Sequence, residues 1–440
     1  MERIREWFFS QTSYVRLTLC NLLMLGLFVC LSLLRDKQDD FIGIIVPVFL
    51  ISELIVGYSL WIKGDLILTI STVFLFQTGM GLQILIGKEQ HSVVYAIVTL
   101  IAGVIGLLGF VMFRKISFSE KKKAQFALMV ILVFTIGVTV FLRSFTSPIN
   151  GTYAWLKIGK HSLQLTEVFK LLLIIFHVIL IGSEIPGKWR FSPVYMGIVF
   201  VCLVVLHELG SLLVILFVWL ALTFVFAKRK LLSLIFATVV CFICTVGWSV
   251  CRVAAERFQK TEHPGTVIKA LNQIYSRLFV RYSVWSNIDA ANRDDAYQAI
   301  QARKAIIRGG LFGTAENTVS IPVESSDFAF VGLILRCGVL FGLLILLIYL
   351  VILFRGTKIF TSKTNTYDAI ITAGSTYTLL FAAIVNIFGT TNFAPLTGVG
   401  LPFISSGGTC QVISFTLILV LIWQSGNSTS ITKDGLKNEE

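Results

Sequence analysis

The residues of this chain able to do chemistry sit in a few short stretches. Glu167 and Lys170 stand at i and i+3 at the opening of an otherwise apolar helical segment. Ionisable groups in a membrane-length segment are costly to desolvate, so they point to a functional cavity; a structural ion pair anchoring the helix is the plainer alternative. Arg277 and Arg281 recur at i and i+4 in a long polar segment, on one face if the helix reaches that far. Arginine's planar, permanently charged fork suits a diphosphate, and attraction to anionic headgroups is the competing reading for Arg277. Near the C-terminus, Asn392-Phe-Ala-Pro-Leu-Thr-Gly-Val-Gly-Leu-Pro-Phe-Ile-Ser-Ser-Gly-Gly-Thr409 is a non-helical run between two apolar stretches. Its prolines lack donors and its glycines permit turns, so it cannot close its own backbone hydrogen bonds. Such backbone is tolerated near a bilayer only where protein or a wet cavity satisfies it, so the run reads as part of a binding cavity at the membrane surface.

Other candidate motifs carry less. Cys241 and Cys244 form a C-x-x-C inside an apolar run, flanked by Phe, Ile and Val, and read as small buried hydrophobes. His207 reads as a hydrogen-bonded structural residue at a helix break, and no set of His, Cys and carboxylates has zinc spacing. Gly309-Gly310-Leu-Phe-Gly313 is not followed by Gly-Lys-Ser/Thr, which excludes a phosphate loop.

The elements that must position these groups are membrane helices. Of 440 residues, 56% are hydrophobic and 14% charged, and mean hydropathy is +0.84, far from a soluble composition. Apolar runs of roughly 17–25 residues, enough to cross the hydrocarbon core, recur along the chain. They suggest about twelve spans: 17–34, 41–62, 66–86, 92–113, 126–142, 165–182, 193–206, 212–227, 231–250, 328–354, 369–388 and 410–423. His207-Glu-Leu-Gly-Ser211 interrupts 193–227 and reads as a polar break between two shorter helices. The net charge of +13 is explained by Lys/Arg clusters in short loops, so a nucleic-acid partner is not expected. With the N-terminus inside, Arg114-Lys115, Lys188/Arg190, Lys228-Arg-Lys230 and Arg355/Lys358/Lys363 fall in the cytoplasm. The positive-inside rule then gives an even number of spans with both termini cytoplasmic. The loops 144–163 and 252–326 lie outside, the second carrying helical periodicity over 266–280 and 294–307.

Several islands resemble the SEDS (shape, elongation, division and sporulation) family, which includes the FtsW and RodA types. Pro395-Leu-Thr-Gly398 and Leu401-Pro-Phe-Ile-Ser-Ser-Gly-Gly408 are similar to the family's C-terminal signature. Asn150-Gly-Thr-Tyr-Ala-Trp-Leu156 resembles its outer-loop Asn-Gly…Trp motif, and Leu165-Thr-Glu-Val-Phe-Lys170 its Glu…Lys helix opening without the usual Pro-Ser pair. His207-Glu-Leu-Gly-Ser211 stands where the family has Pro-Asp-Leu-Gly-Thr. Tyr297-Gln298 with Ala305–Gly313, and Ser326-Asp327-Phe328, match the end of the large loop and the start of the next helix. The likeness runs from about Asn150 to Trp423, and identifies the chain as a divergent member.

The resemblance implies an all-α fold: a polytopic helical bundle of about twelve spans, with a SEDS-like core, about two extra N-terminal spans and a large extracellular loop. The segments expected are N-terminal spans 1–143, core 144–251, outer loop 252–326, C-terminal core 327–426 and a cytoplasmic tail 427–440. It implies a peptidoglycan glycosyltransferase in the bacterial plasma membrane, acting on lipid II and other undecaprenyl-diphosphate-linked glycan, with a class B penicillin-binding protein as transpeptidase partner. By resemblance alone a divalent cation, Mg2+ or Mn2+, is an expected cofactor, with no protein metal site expected. The family's key acid precedes Tyr-Gln by a few residues. Counting back from Tyr297 lands near Ala291, and a small gap restores Asp289 as the catalytic base, with Asp294 and Asp295 as alternatives. Arg281, Glu167, Lys170, Gln298, Trp155, Ser405, Ser406 and Gly407 are the expected substrate-binding residues. Leu335-Arg336 stands where the family has a Glu-Glu pair, which predicts an inverted local charge. Glu208 keeps the family's acidic charge, or else caps the following helix. A lipid II flippase and a non-catalytic scaffold for the transpeptidase are the rival functions.

Overall fold

A computed structural model of the chain describes residues 41–86, 89–116, 118, 120–149, 151–159, 161–226, 252–257, 265–288, 293–314 and 319–435, with isolated positions elsewhere. The elements are α1 (Phe41–Trp61), α2 (Leu66–Ile86), α3 (Glu89–Arg114), α4 (Lys121–Phe145), β1 (Trp155–Ile158), β2 (His161–Gln164), α5 (Val168–Gly182), α6 (Phe191–Val205) and α7 (Leu209–Phe226). They continue with α8 (Thr266–Ser286), α9 (Arg293–Gly309), α10 (Ala329–Cys337), α11 (Val339–Thr361), α12 (Thr366–Thr390) and α13 (Gly408–Gly435). Among the described residues, 9 helices are long and apolar enough to cross a membrane. The expected spans at 17–34 and 231–250 fall largely outside the described residues. The protein is a multi-pass helical membrane protein, and among the described residues the helices are joined by one small hairpin.

The helices follow from the solvent: in hydrocarbon a backbone must bond to itself, and an apolar α-helix does so within one segment. Their polar side chains obey the same rule. Thr72, Thr135, Thr139, Thr372, Thr376 and Ser414 each donate to the carbonyl four residues back.

The chain divides into two compact units. The first holds Met1–Phe118, Ala305–Ile384 and Gly400–Glu440. Within it Phe110 meets Trp423 edge-on at 5.6 Å, and Phe76 meets Phe415 at the same centroid distance, packing α2 and α3 on α13. Loop charges are spent at the helix ends. Arg114 pairs with Asp368 at 2.7 Å, Gln424 Nε2 donates to Asp368 at 3.1 Å, and Arg355 Nε donates to Asp65 at 2.8 Å.

The single span expected over 328–354 is instead two helices. Gly338 ends α10 with φ +87°, and a side chain there would collide with the backbone of Leu311. Gly313, also at φ +87°, has the backbone of Arg336 and Cys337 where its Cβ would be. Thr314 N donates to Leu335 O at 2.9 Å and Val339 N to Gly310 O at 2.9 Å. The glycines after α9 thus let two turns interlock, and only Gly fits that backbone without strain.

The second unit holds Ser119–Lys304 and Val385–Val399. Here β1 and β2 pair antiparallel, with Trp155 opposite Gln164 and Ile158 opposite His161. A 3-10 turn, Leu165–Glu167, then leads into α5. Phe176 stacks on Tyr195 at 4.0 Å, joining α5 to α6. His177, Ser192 and Trp219 form a closed chain among α5, α6 and α7. A carbonyl only accepts, so His177 Nδ1 donates to Leu173 O (2.8 Å); Ser192 donates to Nε2 (2.9 Å) and accepts the Trp219 indole N–H (2.8 Å). All three side chains are buried, so this Ser–His pair is a strut rather than a nucleophile and its base.

The expected break in 193–227 is present as the turn Leu206–Glu208 between α6 and α7. The periodic stretches of the long loop are helices too: α8 runs past the expected end at 280 to Ser286, and α9 covers Arg293–Gly309. They pack through Val284, Ile288 and Ala296 with Ala299 and Ile300.

Candidate active site

The α6–α7 turn gathers the polar side chains of the second unit. His207 adopts φ +60°, and Glu208 N donates to Leu203 O at 2.8 Å. The segment preceding the hairpin crosses this turn: Tyr153 N donates to Leu206 O at 2.9 Å, and Leu165 N to Ala154 O at 3.0 Å. The Tyr153 ring meets the His207 imidazole at 5.8 Å, and the Arg143 guanidinium sits 4.2 Å from the Tyr153 ring centroid.

Beneath that cover lies a charged cluster. Lys170 Nζ donates to both Glu167 oxygens at 2.7 Å. Ser211 Oγ lies 3.2 Å from Glu208 Oε1 and 3.5 Å from Glu167 Oε1. Glu167, Lys170, Glu208 and Ser211 are all at most 6% exposed. Burial, and then the negative charge of Glu167, push the Glu208 carboxyl up to about 7; Ser211 and the positive charge of Arg281 oppose the rise. A carboxyl poised there can exchange a proton at working pH, and Lys170 with Arg281 supplies positive charge for an anion.

Three of the expected site residues, Glu167, Lys170 and Arg281, are therefore brought to one cluster, Arg281 reaching it electrostatically from α8. Arg277 lies one turn before Arg281 on the same helix. Trp155 is half-buried in β1, at the hairpin end nearest the cluster's cover, and Gln298 is half-buried on α9. Asp289 lies outside the described residues; Asp294 and Asp295 are described only in backbone, in the first turn of α9. Among the described residues no three His, Cys, Asp or Glu side chains could hold a metal ion together. In the cluster itself Lys170 Nζ occupies the position between the Glu167 oxygens that a cation would take. These residues do not fit a divalent cation.

Ser405, Ser406 and Gly407 belong to the first unit, where the signature run is stitched to the segment before α10. Ser405 Oγ donates to Ser326 O (2.6 Å), Ser406 N to Ser325 O (2.8 Å), and Leu401 N to Ser405 Oγ (2.7 Å). The backbone that could not satisfy itself is thus satisfied by protein. Arg336 corrects the sequence reading. Its guanidinium makes a two-pronged contact with Glu324 and donates to Gly332 O at 3.1 Å. The local charge is neutralised, not inverted, because Glu324 folds back from twelve positions upstream. Glu324 was not singled out in the sequence; neither was Ser211 as a partner of two acids, although its i+3 spacing from Glu208 was a visible signal.

Comparison with known proteins places these observations. The FtsW/RodA/SpoVE family, described as cell cycle proteins, matches residues 57–429. Stage V sporulation protein E of Bacillus subtilis is 25% identical over 375 residues, covering 81% of this chain and 94% of its own length. The peptidoglycan glycosyltransferase RodA of Mycobacterium bovis is 25% identical over 296 residues, covering 66% of this chain but only 61% of that relative. In fold, the chain is similar to one from a peptidoglycan synthase complex, with a TM-score of 0.60 and 18% identity over 82% of this chain and 98% of that one. With most of its length matched, this chain belongs to the FtsW/RodA/SpoVE family.

Proposed function

We propose that this protein is a peptidoglycan glycosyltransferase that polymerises lipid II at the outer face of the bacterial plasma membrane, with both termini cytoplasmic and a class B penicillin-binding protein as partner. The observation that carries the reading is the buried Glu167–Lys170–Glu208–Ser211 cluster faced by Arg281. Ionisable groups buried in a membrane bundle are costly and point to function, and these residue types suit a lipid diphosphate. In the reaction Asp289 takes the proton of the acceptor sugar hydroxyl. That oxygen bonds to the anomeric carbon of the donor glycan as the carbon–diphosphate bond breaks. Arg281 stabilises the departing undecaprenyl diphosphate, and Gln298 and Trp155 bind substrate in the second unit; Ser405, Ser406 and Gly407 are substrate-binding residues of the first unit, taken by themselves. A divalent cation, Mg2+ or Mn2+, arrives on the diphosphate if one takes part, since Mg2+ is commonly carried by substrate phosphates.

The test is polymerisation of fluorescent lipid II by the purified protein with its transpeptidase. Glycan strands are expected from the wild type, falling by about 100-fold or more in Asp289→Ala, the usual loss with a general base. Loss only in Asp294→Ala or Asp295→Ala reassigns the base. Movement of lipid II across the bilayer without polymer makes the protein a flippase, and neither activity makes it a scaffold.

A further inference from the structure

Arg143 stands in the last turn of α4, a membrane-length helix whose other end opens on Lys121-Lys122-Lys123. Its side chain is exposed, and among the described residues no carboxylate pairs with it. Instead the guanidinium lies over the Tyr153 ring, 4.2 Å from its centroid. A ring face holds a guanidinium through its quadrupole and consumes none of the N–H donors, so the planar fork stays available to an anion. The ring is itself fixed: Tyr153 N donates to Leu206 O at 2.9 Å, and the ring meets His207 at 5.8 Å. Arg143 is thus joined, through two ring contacts, to the turn that carries Glu208. An arginine at a helix end ordinarily meets the last carbonyls of its own helix or snorkels into headgroups. Neither duty needs a ring, brought from beyond the helix end, to hold the guanidinium in one place.

We propose that Arg143 is a second diphosphate-binding residue of this site, holding the acceptor lipid II while Arg281 meets the donor. This rests on the polymerase reading above, in which two lipid-linked substrates meet and each carries a diphosphate. The two diphosphates play different parts. The donor's gains charge as its bond to the sugar breaks, so Arg281 acts on the transition state. The acceptor's is chemically unchanged, so Arg143 binds ground state and transition state alike. Loss of Arg143 therefore raises KM and spares kcat, whereas loss of Arg281 lowers kcat.

The full-length protein with its transpeptidase, titrated with fluorescent lipid II, tests this. Arg143→Gln should raise KM about 10-fold or more, the scale of a hydrogen bond to a charged group, with kcat within about two-fold and Tm kept. Tyr153→Leu should move KM the same way by less, and Tyr153→Phe, which keeps the ring, should match the wild type. Lys123→Gln removes a charge from the other end of α4, where Lys123 pairs with Glu120, and should leave KM alone. An unchanged KM in Arg143→Gln, a fall in kcat instead, or an equal rise in Lys123→Gln overturns the assignment. Should no polymer form, or Arg143→Gln melt early, the wild type in nanodiscs decides by phenylglyoxal modification read residue by residue in a mass spectrometer. Undecaprenyl diphosphate should slow the modification of Arg143 several-fold, and phosphatidylglycerol should not. Equal modification with and without undecaprenyl diphosphate overturns the site. Protection by both lipids makes Arg143 a general headgroup arginine and overturns it as well.

Discussion

Glu208→Gln is the substitution that tests the electrostatics of the cluster. The carboxyl lies near 4.5 when free and at about 7 in the fold, raised by burial and then by Glu167. That difference corresponds to about 3 kcal/mol between protonated and ionised forms. The sign follows from the direction. A carboxyl raised on folding contributes its stability below about pH 4.5 and loses it as pH rises through about 7. The wild type should therefore be less stable at pH 8 than at pH 5, with this one group accounting for up to about 3 kcal/mol. Glutamine keeps the acceptor for Ser211 and never ionises, so the variant should lose the slope and be the more stable protein at pH 8. For a folding unit of about 200 residues, the size of the second unit, 1 kcal/mol moves Tm by ~2–4 °C, so the gain is at most roughly 6–12 °C. The assay is thermal unfolding in detergent at pH 5, 6.5 and 8, with polymerisation measured in parallel, where the variant should be slower. Arg281→Gln is the companion: it removes a positive charge that lowers the carboxyl, so the loss of stability should start at the same pH, extend to higher pH and be larger, relative to that variant's own baseline. A Glu208→Gln protein that keeps the full wild-type slope would refute the assignment of that slope to this residue.

Other outcomes follow from the described geometry. Arg336→Met or Glu324→Gln alone leaves a desolvated charge and should cost about 3–5 kcal/mol, whereas the double change Glu324→Leu/Arg336→Met should cost far less; denaturation of the three variants measures the difference. Gly313→Ala forces a side chain into the Arg336–Cys337 backbone at φ +87° and should lower stability by about 1–3 kcal/mol or more, read as an earlier melt with no change in pH dependence.

Much of the fold was legible because hydropathy alone marks a bilayer span, and because Thr266–Val280 and Asp294–Ile307 carry a helical period that survives outside the membrane. The polar break at His207–Ser211 announced itself for the same reason: charge is conspicuous in grease. Gly338 did not. It sits inside a long apolar run, and a hydropathy average passes over the one residue whose positive φ divides the run. The hairpin at Trp155–Gln164 escaped notice because strands of four residues around Gly159 give too few alternations to read. Arg336 differs for another cause: a charge is only as unusual as its surroundings, and Glu324 touches it although it lies twelve residues away along the chain. The cluster itself was visible in pieces, Glu167 with Lys170 in one motif and Glu208 in another. Their meeting depends on how α5 and the α6–α7 turn pack, which no local pattern encodes.

That meeting bears on why the charges are there at all. Three ionisable side chains in a buried site are weak supports for a fold, since hydrophobic residues of similar volume usually serve stability as well or better. With Glu208 ionised the Glu167–Lys170–Glu208 set carries one negative charge, and with Glu208 protonated it carries none. Arg281 pulls it toward the first state and burial toward the second, which leaves the proton loosely held near neutrality. An anionic headgroup that engages Arg281 withdraws that pull, so the arrival of a diphosphate should drive a proton onto Glu208. A set of charges that only anchored α5 would need Glu167 and Lys170, which already satisfy one another at 2.7 Å. Glu208 accepts the Ser211 backbone N–H at the start of α7, which caps that helix, and the proposed function adds to this a role toward a charged ligand.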